Sequence, residues 1–244
     1  MSPTMPGEYG PWAALLADRP ASFSFRREEW TDVEVWRPAA RERLLDRLAL
    51  PDTGVTPIVT VHRRYVYDGL HVEDLSWQLP YGPPTEAIFL KPAGVSGQLP
   101  GILALHDHAG NKYFGKRKIA RTGGDWPPVL LKHHSEYYGG VAWANEIARR
   151  GYAVLVPDIF AFASRRVRLG DVPDEVQAGC TEPISGTEIG INAYNEWAAG
   201  YESIMAKSLF CAGTTWPGVV VSEDQRALDV LCAREDVDAN RVGC

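Results

Sequence analysis

Residues 101–110 read Gly-Ile-Leu-Ala-Leu-His-Asp-His-Ala-Gly. An unbroken apolar run from Gly101 to Leu105, without the polar alternation of a half-solvated strand, describes a strand covered on both faces, as in a parallel sheet. Tyr152-Ala153-Val154-Leu155-Val156 is a second such run and ends at Pro157-Asp158. Ahead of it, Val141 to Arg150 carries Val141, Ala144, Ile147 and Ala148 at helical spacing. That helix closes on Arg149 and Arg150, which suit the negative end of its dipole, with Gly151 at C′. Ile191 to Leu209 places Tyr194, Trp197, Ala198, Tyr201, Ile204 and Met205 on one helical side, and Asp224 to Arg234 does the same with Ala227, Leu228 and Leu231. An aromatic stripe of this kind is usually core, although Trp197, Tyr201 and Trp216 would also suit a cleft wall. Asp238 to Asn240 reads as a turn, and Arg241-Val242-Gly243-Cys244 as the opening of a further strand. Strand, helix, strand, helix, strand is the order of a doubly wound parallel sheet.

Upstream the period changes to two. Ile58 to Val61 and Tyr65 to Tyr67 form one strand, Asp68-Gly69 is a hairpin signal, and Leu70 to Leu79 returns. After the break at Pro83-Pro84, Ala87 to Leu90 begins a third strand. These strands lead antiparallel into the parallel region. Residues 1–54 read as an N-terminal helical appendage packing on the main domain: Leu15 and Leu16 lie in a short segment closed by Pro20. Leu44, Leu45 and Leu48 stripe a second helix from about Ala39 to Leu50. Residues 55–244 form the α/β domain.

Composition narrows the partners. The 244 residues carry 25 basic and 31 acidic side chains, a net charge of -6, and a nucleic-acid binder would ordinarily be basic. No run approaches the ~18 apolar residues needed to span a bilayer, so a membrane is not expected. The N-terminus lacks the basic and apolar regions of a secretory leader. Cys180, Cys211, Cys232 and Cys244 are scattered without CxxC pairing and read as free thiols, which places the protein in a reducing cytoplasm. The final strand stops four residues in, where buried backbone groups would be left unpaired, so the domain is expected to continue beyond Cys244.

Two stretches carry a resemblance. ILALHDHAGNKYFGK at 102–116 runs from an apolar strand into a His/Gly loop, and DQRALDVLCAREDVDANRVGC at 224–244 runs from a helix through a turn into a strand. Together they resemble the α/β-hydrolase superfamily, in its acetyl-xylan-esterase-like and dienelactone-hydrolase-like branch. The resemblance covers roughly residues 55–244. It implies an α/β-hydrolase doubly wound, mostly parallel sheet with leading antiparallel strands. It also implies a serine-dependent hydrolase of carboxylic esters of acetyl or lactone type, working through an acyl-enzyme without metal or organic cofactor. None of the eleven serines stands in G-x-S-x-G; Ser96 in GVSGQ and Ser185 in PISGT have the wrong frame. In that superfamily the chain order is Ser, acid, His, so the whole triad is expected after Cys244, in the remaining C-terminal half of the domain. His106, His108, His133 and His134 are then excluded as the triad base.

The same resemblance implies that the main-chain N–H of His108 or Ala109 donates to an oxyanion, while Gly110 lets backbone approach substrate. His106, Asp107, Lys112, Tyr113, Asp158, Arg165 and Arg166 are the candidates for the substrate pocket, a structural salt bridge being the alternative for the two arginines. The rival chemistry is a metal-dependent hydrolase in which His106 and His108, two apart on a strand end, meet one Zn²⁺. The third alternative is a non-catalytic binding domain of hydrolase ancestry. Residues 109–140 form a long connection whose aromatics fit a pocket wall. Within it Lys112, Lys116, Arg117, Lys118 and Arg121 read as a solvated basic surface, or as recognition of a substrate carboxylate or phosphate. His133 and His134 read as ordinary loop residues. The expected partner is a small-molecule ester, with homo-oligomerisation open.

Overall fold

The computed structural model describes residues 5–17, 21–183 and 187–244, so that Pro20 and Ser185 lie outside the described residues. The chain divides into two compact units, Met1–Leu50 and Pro51–Cys244. The first holds α1 (Gly10–Ala17) and α2 (Val33–Leu48). Asp32 caps α2 by accepting from Glu34 N–H at 2.8 Å, and Ala49 closes it in the left-handed conformation. Between the helices the indoles of Trp30 and Trp36 donate to the carbonyls of Ser22 and Phe23. The leucine stripe of α2 is present, yet no residue of that helix is buried.

The second unit is an α/β fold built on a mixed sheet of six strands in the order β1-β2-β3-β5-β4-β6. β1 (Val59–Tyr67), β2 (Leu70–Trp77) and β3 (Thr85–Pro92) form an antiparallel meander. Asp68 and Gly69 turn the hairpin, both with positive φ as a type I′ turn demands. β4 (Leu99–Leu103) is followed by α3 (Pro128–Tyr138), α4 (Trp143–Arg149) and β5 (Ala153–Pro157). β5 pairs antiparallel with β3 and parallel with β4. After β5 come α5 (Asp174–Gln177), α6 (Glu188–Cys211), α7 (Trp216–Cys232) and β6 (Val237–Gly243), which pairs parallel with β4 on its other side.

The continuous apolar runs place β4 and β5 at the centre of the sheet. On β3 and β5 alternate side chains serve opposite faces. Phe89 and Leu155 join Ala227, Val230 and Leu231 of α7 on one face. Ile88, Leu90, Val154 and Val156 join Ala144 and Ala148 of α4 on the other. In α7 it is Val230, not Leu228, that completes the buried face; Leu228 is part exposed. α7 also begins earlier than its apolar stripe, because the hydroxyl of Thr215 accepts from Gly218 N–H at 2.9 Å and a proline sits in the first turn.

Two expectations need correction. The long connection after β4 is not free of regular structure: it holds a 3-10 turn at Lys116–Lys118 and the eleven-residue α3. Pro127 and Pro128 preset the start of α3, and Gly139 (φ +59°) closes it with its N–H on His134 O. The supposed turn at 238–240 is a bulge inside β6. Pro100 pairs with Asp238 and Gly101 already with Val242, so Ala239 to Arg241 loop out while Asp238 accepts from Asn240 N–H. Gly101 suits this spot because a Cβ there would come within 3.0 Å of Val237 and 3.2 Å of Val242.

β4 thus has its successor β5 on one side and β6 on the other. The strand order reverses beside β4, and in open α/β sheets such a switch point opens a crevice at the carboxyl ends of the strands. The loop carrying His106 to Gly110 begins there.

Candidate functional site

Ala104 N–H still donates to Leu155 O at 2.8 Å, after which the chain leaves the sheet. His106 is buried at 6% exposure, and both its ring nitrogens are occupied. Nδ1 lies 3.0 Å from Asp107 O, and Nε2 accepts the backbone N–H of Ile159 at 3.3 Å. An acceptor role at Nε2 puts the proton on Nδ1. Burial, with help from the Lys118 charge, pushes the ring pKa down to about 4, so His106 is neutral.

Asp107 is the next link. Its Oδ2 accepts from His133 Nε2 at 3.1 Å and from the Tyr138 hydroxyl in a short bond, both from α3. Burial alone would raise this carboxyl, but the His133 and Tyr138 bonds and the nearby Lys118 charge hold it far below the usual carboxylate range.

Lys118 is the hub of the loop. It is fully buried, and its Nζ donates to three acceptors: Asp107 O at 3.0 Å, Asp107 Oδ1 at 3.4 Å and His108 O at 3.4 Å. The peptides on either side of His108 are trans, so each carbonyl and the following N–H point opposite ways. With the carbonyls of Asp107 and His108 drawn onto one ammonium, the N–H groups of His108 and Ala109 are directed away from it. Among the described residues no protein acceptor stands on either N–H. Gly110 (φ +66°) then turns the chain, and a Cβ there would meet nothing within 4 Å. Two consecutive amides turned away from the ammonium and without a protein acceptor are available to bond an anionic oxygen.

The ring of Phe162 packs behind the loop. Lys118 Nζ lies 4.4 Å from its centroid and Lys112 Nζ 4.5 Å, while His106 and His108 approach edge-on at 5.0 and 5.6 Å. Lys112 is buried, ion-paired to Glu202 of α6, and also stands over Trp216 at the start of α7. His108 is the exposed member: its Nε2 lies 3.1 Å from Glu202 Oε1 and 3.3 Å from Lys112 Nζ, and its ring packs 5.7 Å from that of Trp216. Partial burial and the Lys112 charge lower its pKa against the pull of Glu202. The structure therefore brings His106, Asp107, His108, Ala109 and Lys112 together.

It places the other sequence candidates in internal braces. Tyr113 N–H donates to Asn195 Oδ1 at 2.9 Å, and Asn195 in turn donates to Asn111, fastening the loop to α6. Asp158 is fully buried: Oδ1 accepts Lys116 N–H at 2.7 Å, and Oδ2 accepts Lys116 Nζ at 2.8 Å and the Ser164 hydroxyl at 2.7 Å. Burial would raise Asp158, but the Lys116 ammonium holds it low. Arg165 is bidentate to buried Glu223 at 2.5 and 3.2 Å, and its remaining donors reach the carbonyls of Tyr81 and Pro83. Arg166 joins Ala163 O to Glu182 and lies over the rings of Tyr113 and Tyr194.

The lysines of the basic run are consequently not a solvated surface, whereas Arg121 is exposed and Arg117 half-buried. Lys112 and Lys118 are buried, and Lys116 is enclosed between Glu86 and Asp158. Nor are His133 and His134 loop residues. Both are buried on α3, the first on Asp107 and the second edge-on to Trp126. Charge spacing alone could not show this, because Lys112 and Lys116 find Glu202 and Asp158 far off in sequence and Lys118 reaches Asp107 only through the turn of the loop. Phe162 and Glu202 carried no motif and Lys118 only its place in the basic run, and only the topology assembles them. The metal arrangement is not formed. Both nitrogens of His106 are spent, and among the described residues no group of three His, Cys, Asp or Glu side chains is placed to hold a metal ion.

No protein-family model matches the chain. In sequence it is similar to "Putative hydrolase YtaP" of Bacillus subtilis (strain 168), with 24% identity over 207 residues, covering 84% of this chain and 54% of that protein. In structure it is similar to a "putative acetyl xylan esterase" from Bacteroides fragilis NCTC 9343, with a TM-score of 0.67 and 15% identity over 99% of this chain and 55% of that one. The chain therefore spans about half the length of these two proteins. The structural likeness establishes the fold, an α/β architecture shared with that structure.

Proposed function

We propose that the chain provides the sheet and the oxyanion-binding loop of a serine-dependent hydrolase of carboxylic esters, acting on an acetyl ester or a lactone. The observation that carries the reading is the pair of consecutive amides at His108 and Ala109 that no protein acceptor takes, just beyond the carboxyl end of β4, where the strand order switches. An ester carbonyl attacked by a hydroxyl becomes a tetrahedral oxyanion. Two preorganised N–H donors stabilise that state over the planar ester, each lowering the barrier by about 3–4 kcal/mol. Because 244 residues contain no G-x-S-x-G, the nucleophile, acid and base are assigned to sequence following β6, whose carboxyl end neighbours that of β4. His106 and Asp107 then serve as supports, while His108 and Trp216 border the cleft. The acyl-enzyme mechanism needs no metal, and the charge and composition favour a soluble, cytoplasmic protein that binds neither nucleic acid nor membrane.

The test uses the full-length protein. It should hydrolyse 4-nitrophenyl acetate with a burst of nitrophenol, be labelled once by a fluorophosphonate, and keep its activity in a chelator. Activity lost to chelation with no fluorophosphonate adduct would refute the serine mechanism.

A further inference from the structure

Lys118 is a fully buried lysine whose ammonium, among the described residues, has no anionic partner closer than 3.4 Å. Its closest bond is instead to a backbone carbonyl. Three N–H donors meet three acceptors, two of them successive carbonyls of the same loop. Resting on the reading of that loop as an oxyanion acceptor, we propose that Lys118 is its positioning residue, fixing the direction of the His108 and Ala109 amides without touching the substrate. The mechanism is purely geometric. Each carbonyl drawn toward Nζ turns its peptide plane, and the N–H on the far side of that plane is turned away from the ammonium and from its own carbonyl's bond. Neither peptide is held by a helix or strand, since residues 104–108 belong to no regular element. The ammonium therefore does for this loop what a helix terminus does elsewhere.

The surroundings support a role beyond filling space. The charge faces Asp107 from its own loop and Lys112 from the same connection. The ring of Phe162 packs on it and His106 lies within reach of its charge, while His133 and Tyr138 of α3 hold Asp107, and Glu202 of α6 takes the charge of Lys112. Burial lowers the Lys118 ammonium to about 8, against the counter-pull of Asp107. A neutral amine has two N–H donors for three acceptors, so deprotonation releases one of the loop's anchors. The loop is thereby tied to a titration in the mildly alkaline range.

The experiment compares full-length wild type, Lys118→Met and Lys118→Arg by steady-state hydrolysis of 4-nitrophenyl acetate and by amide hydrogen exchange of the 105–111 segment. Lys118→Met should lower kcat about 100-fold or more with KM within about threefold, since oriented donors act on the transition state rather than on ground-state binding. Its loop amides should exchange faster while those of α4 and α7 stay protected. Lys118→Arg, which cannot deprotonate, should keep more activity and lose the alkaline limb of the kcat profile near pH 8. Wild type gives a readout without substitution: loop protection, corrected for intrinsic base catalysis, should fall across the same pH range. Unchanged loop protection in Lys118→Met, or a kcat within threefold of wild type, would overturn the assignment. If Lys118→Met fails to fold, wild-type loop protection that stays flat from pH 7 to 9.5 overturns it as well. A wild-type protein inert toward esters would instead sink the functional reading, while the exchange data still decide whether Lys118 holds the loop.

Discussion

Asp107 and His133 are bonded at 3.1 Å between Oδ2 and Nε2, tying the first residues beyond β4 to the buried face of α3. This bond makes α3 a buttress of the loop rather than a loose wall. It also leaves Asp107 as the only carboxylate bonded to Lys118 among the described residues. Asp107→Asn should cost about 3 kcal/mol of stability, because a fully buried ammonium loses its counter-charge. Urea unfolding at neutral pH measures it. A cost below about 1 kcal/mol would show that the Lys118 carbonyl bonds suffice alone.

His106 gives the pH dependence. Its pKa in the folded protein is about 4, below the ordinary 6.5. Between these values the unfolded chain binds a proton that the native state does not. Its contribution is therefore constant above pH 6.5 and is lost progressively as pH falls toward 4, by up to about 3 kcal/mol. His106→Gln, which retains an acceptor for Ile159 N–H, should flatten that part of the stability curve. A slope unchanged by this substitution would assign the acid sensitivity elsewhere.

Arg165 and Glu223 are almost wholly buried and bidentate. Glu223→Gln should destabilise by about 3–5 kcal/mol, and the double variant Arg165→Met/Glu223→Leu by clearly less than the sum of the singles. A double-mutant cycle in denaturant reads the coupling. Because the pair lies outside the Phe162 cluster, kcat of the folded variants should stay within a few-fold.

Two glycines of the same loop should respond for different reasons. Gly115 has an ordinary negative φ, but an added Cβ would collide with the Asp158 carboxylate and reach Ala163 at 3.1 Å. Asp158 cannot yield, being bonded to Lys116 and Ser164, so Gly115→Ala should cost about 2 kcal/mol. Gly110→Ala meets open space and should cost only the roughly 1 kcal/mol of a positive φ. Thermal melts of both variants separate steric from conformational cost, and a larger loss in Gly110→Ala would reverse the assignment.

The sheet was legible from the sequence because its signals are local. Two continuous apolar runs marked β4 and β5, and Asp68-Gly69 marked the hairpin between β1 and β2. α3 escaped notice because its buried face is His133 and His134 beside Leu130, which no hydrophobic count registers as apolar. The supporting cluster escaped for a different reason. Lys112 finds Glu202 and Arg165 finds Glu223 across dozens of residues, and a lysine in a basic run gives no sign of which partner will bury it. What spacing did reveal was the place, a histidine-bearing loop at the end of the central strand. What it could not reveal was that three of its polar side chains face inward.

Asp107 is anchored by nearer neighbours along the chain than Lys112, which finds Glu202, or Tyr113, which finds Asn195. Asp107 meets Lys118, His133 and Tyr138 at separations of 11, 26 and 31 residues. Contacts of such short range close small loops, carry little closure entropy and form early. On a ribosome, residues 106–138 emerge and can knit together before α6, α7 and β6 have been made. The Asp107 knot is thus an early piece of vectorial folding, onto which Ile159, Phe162 and α6 close later.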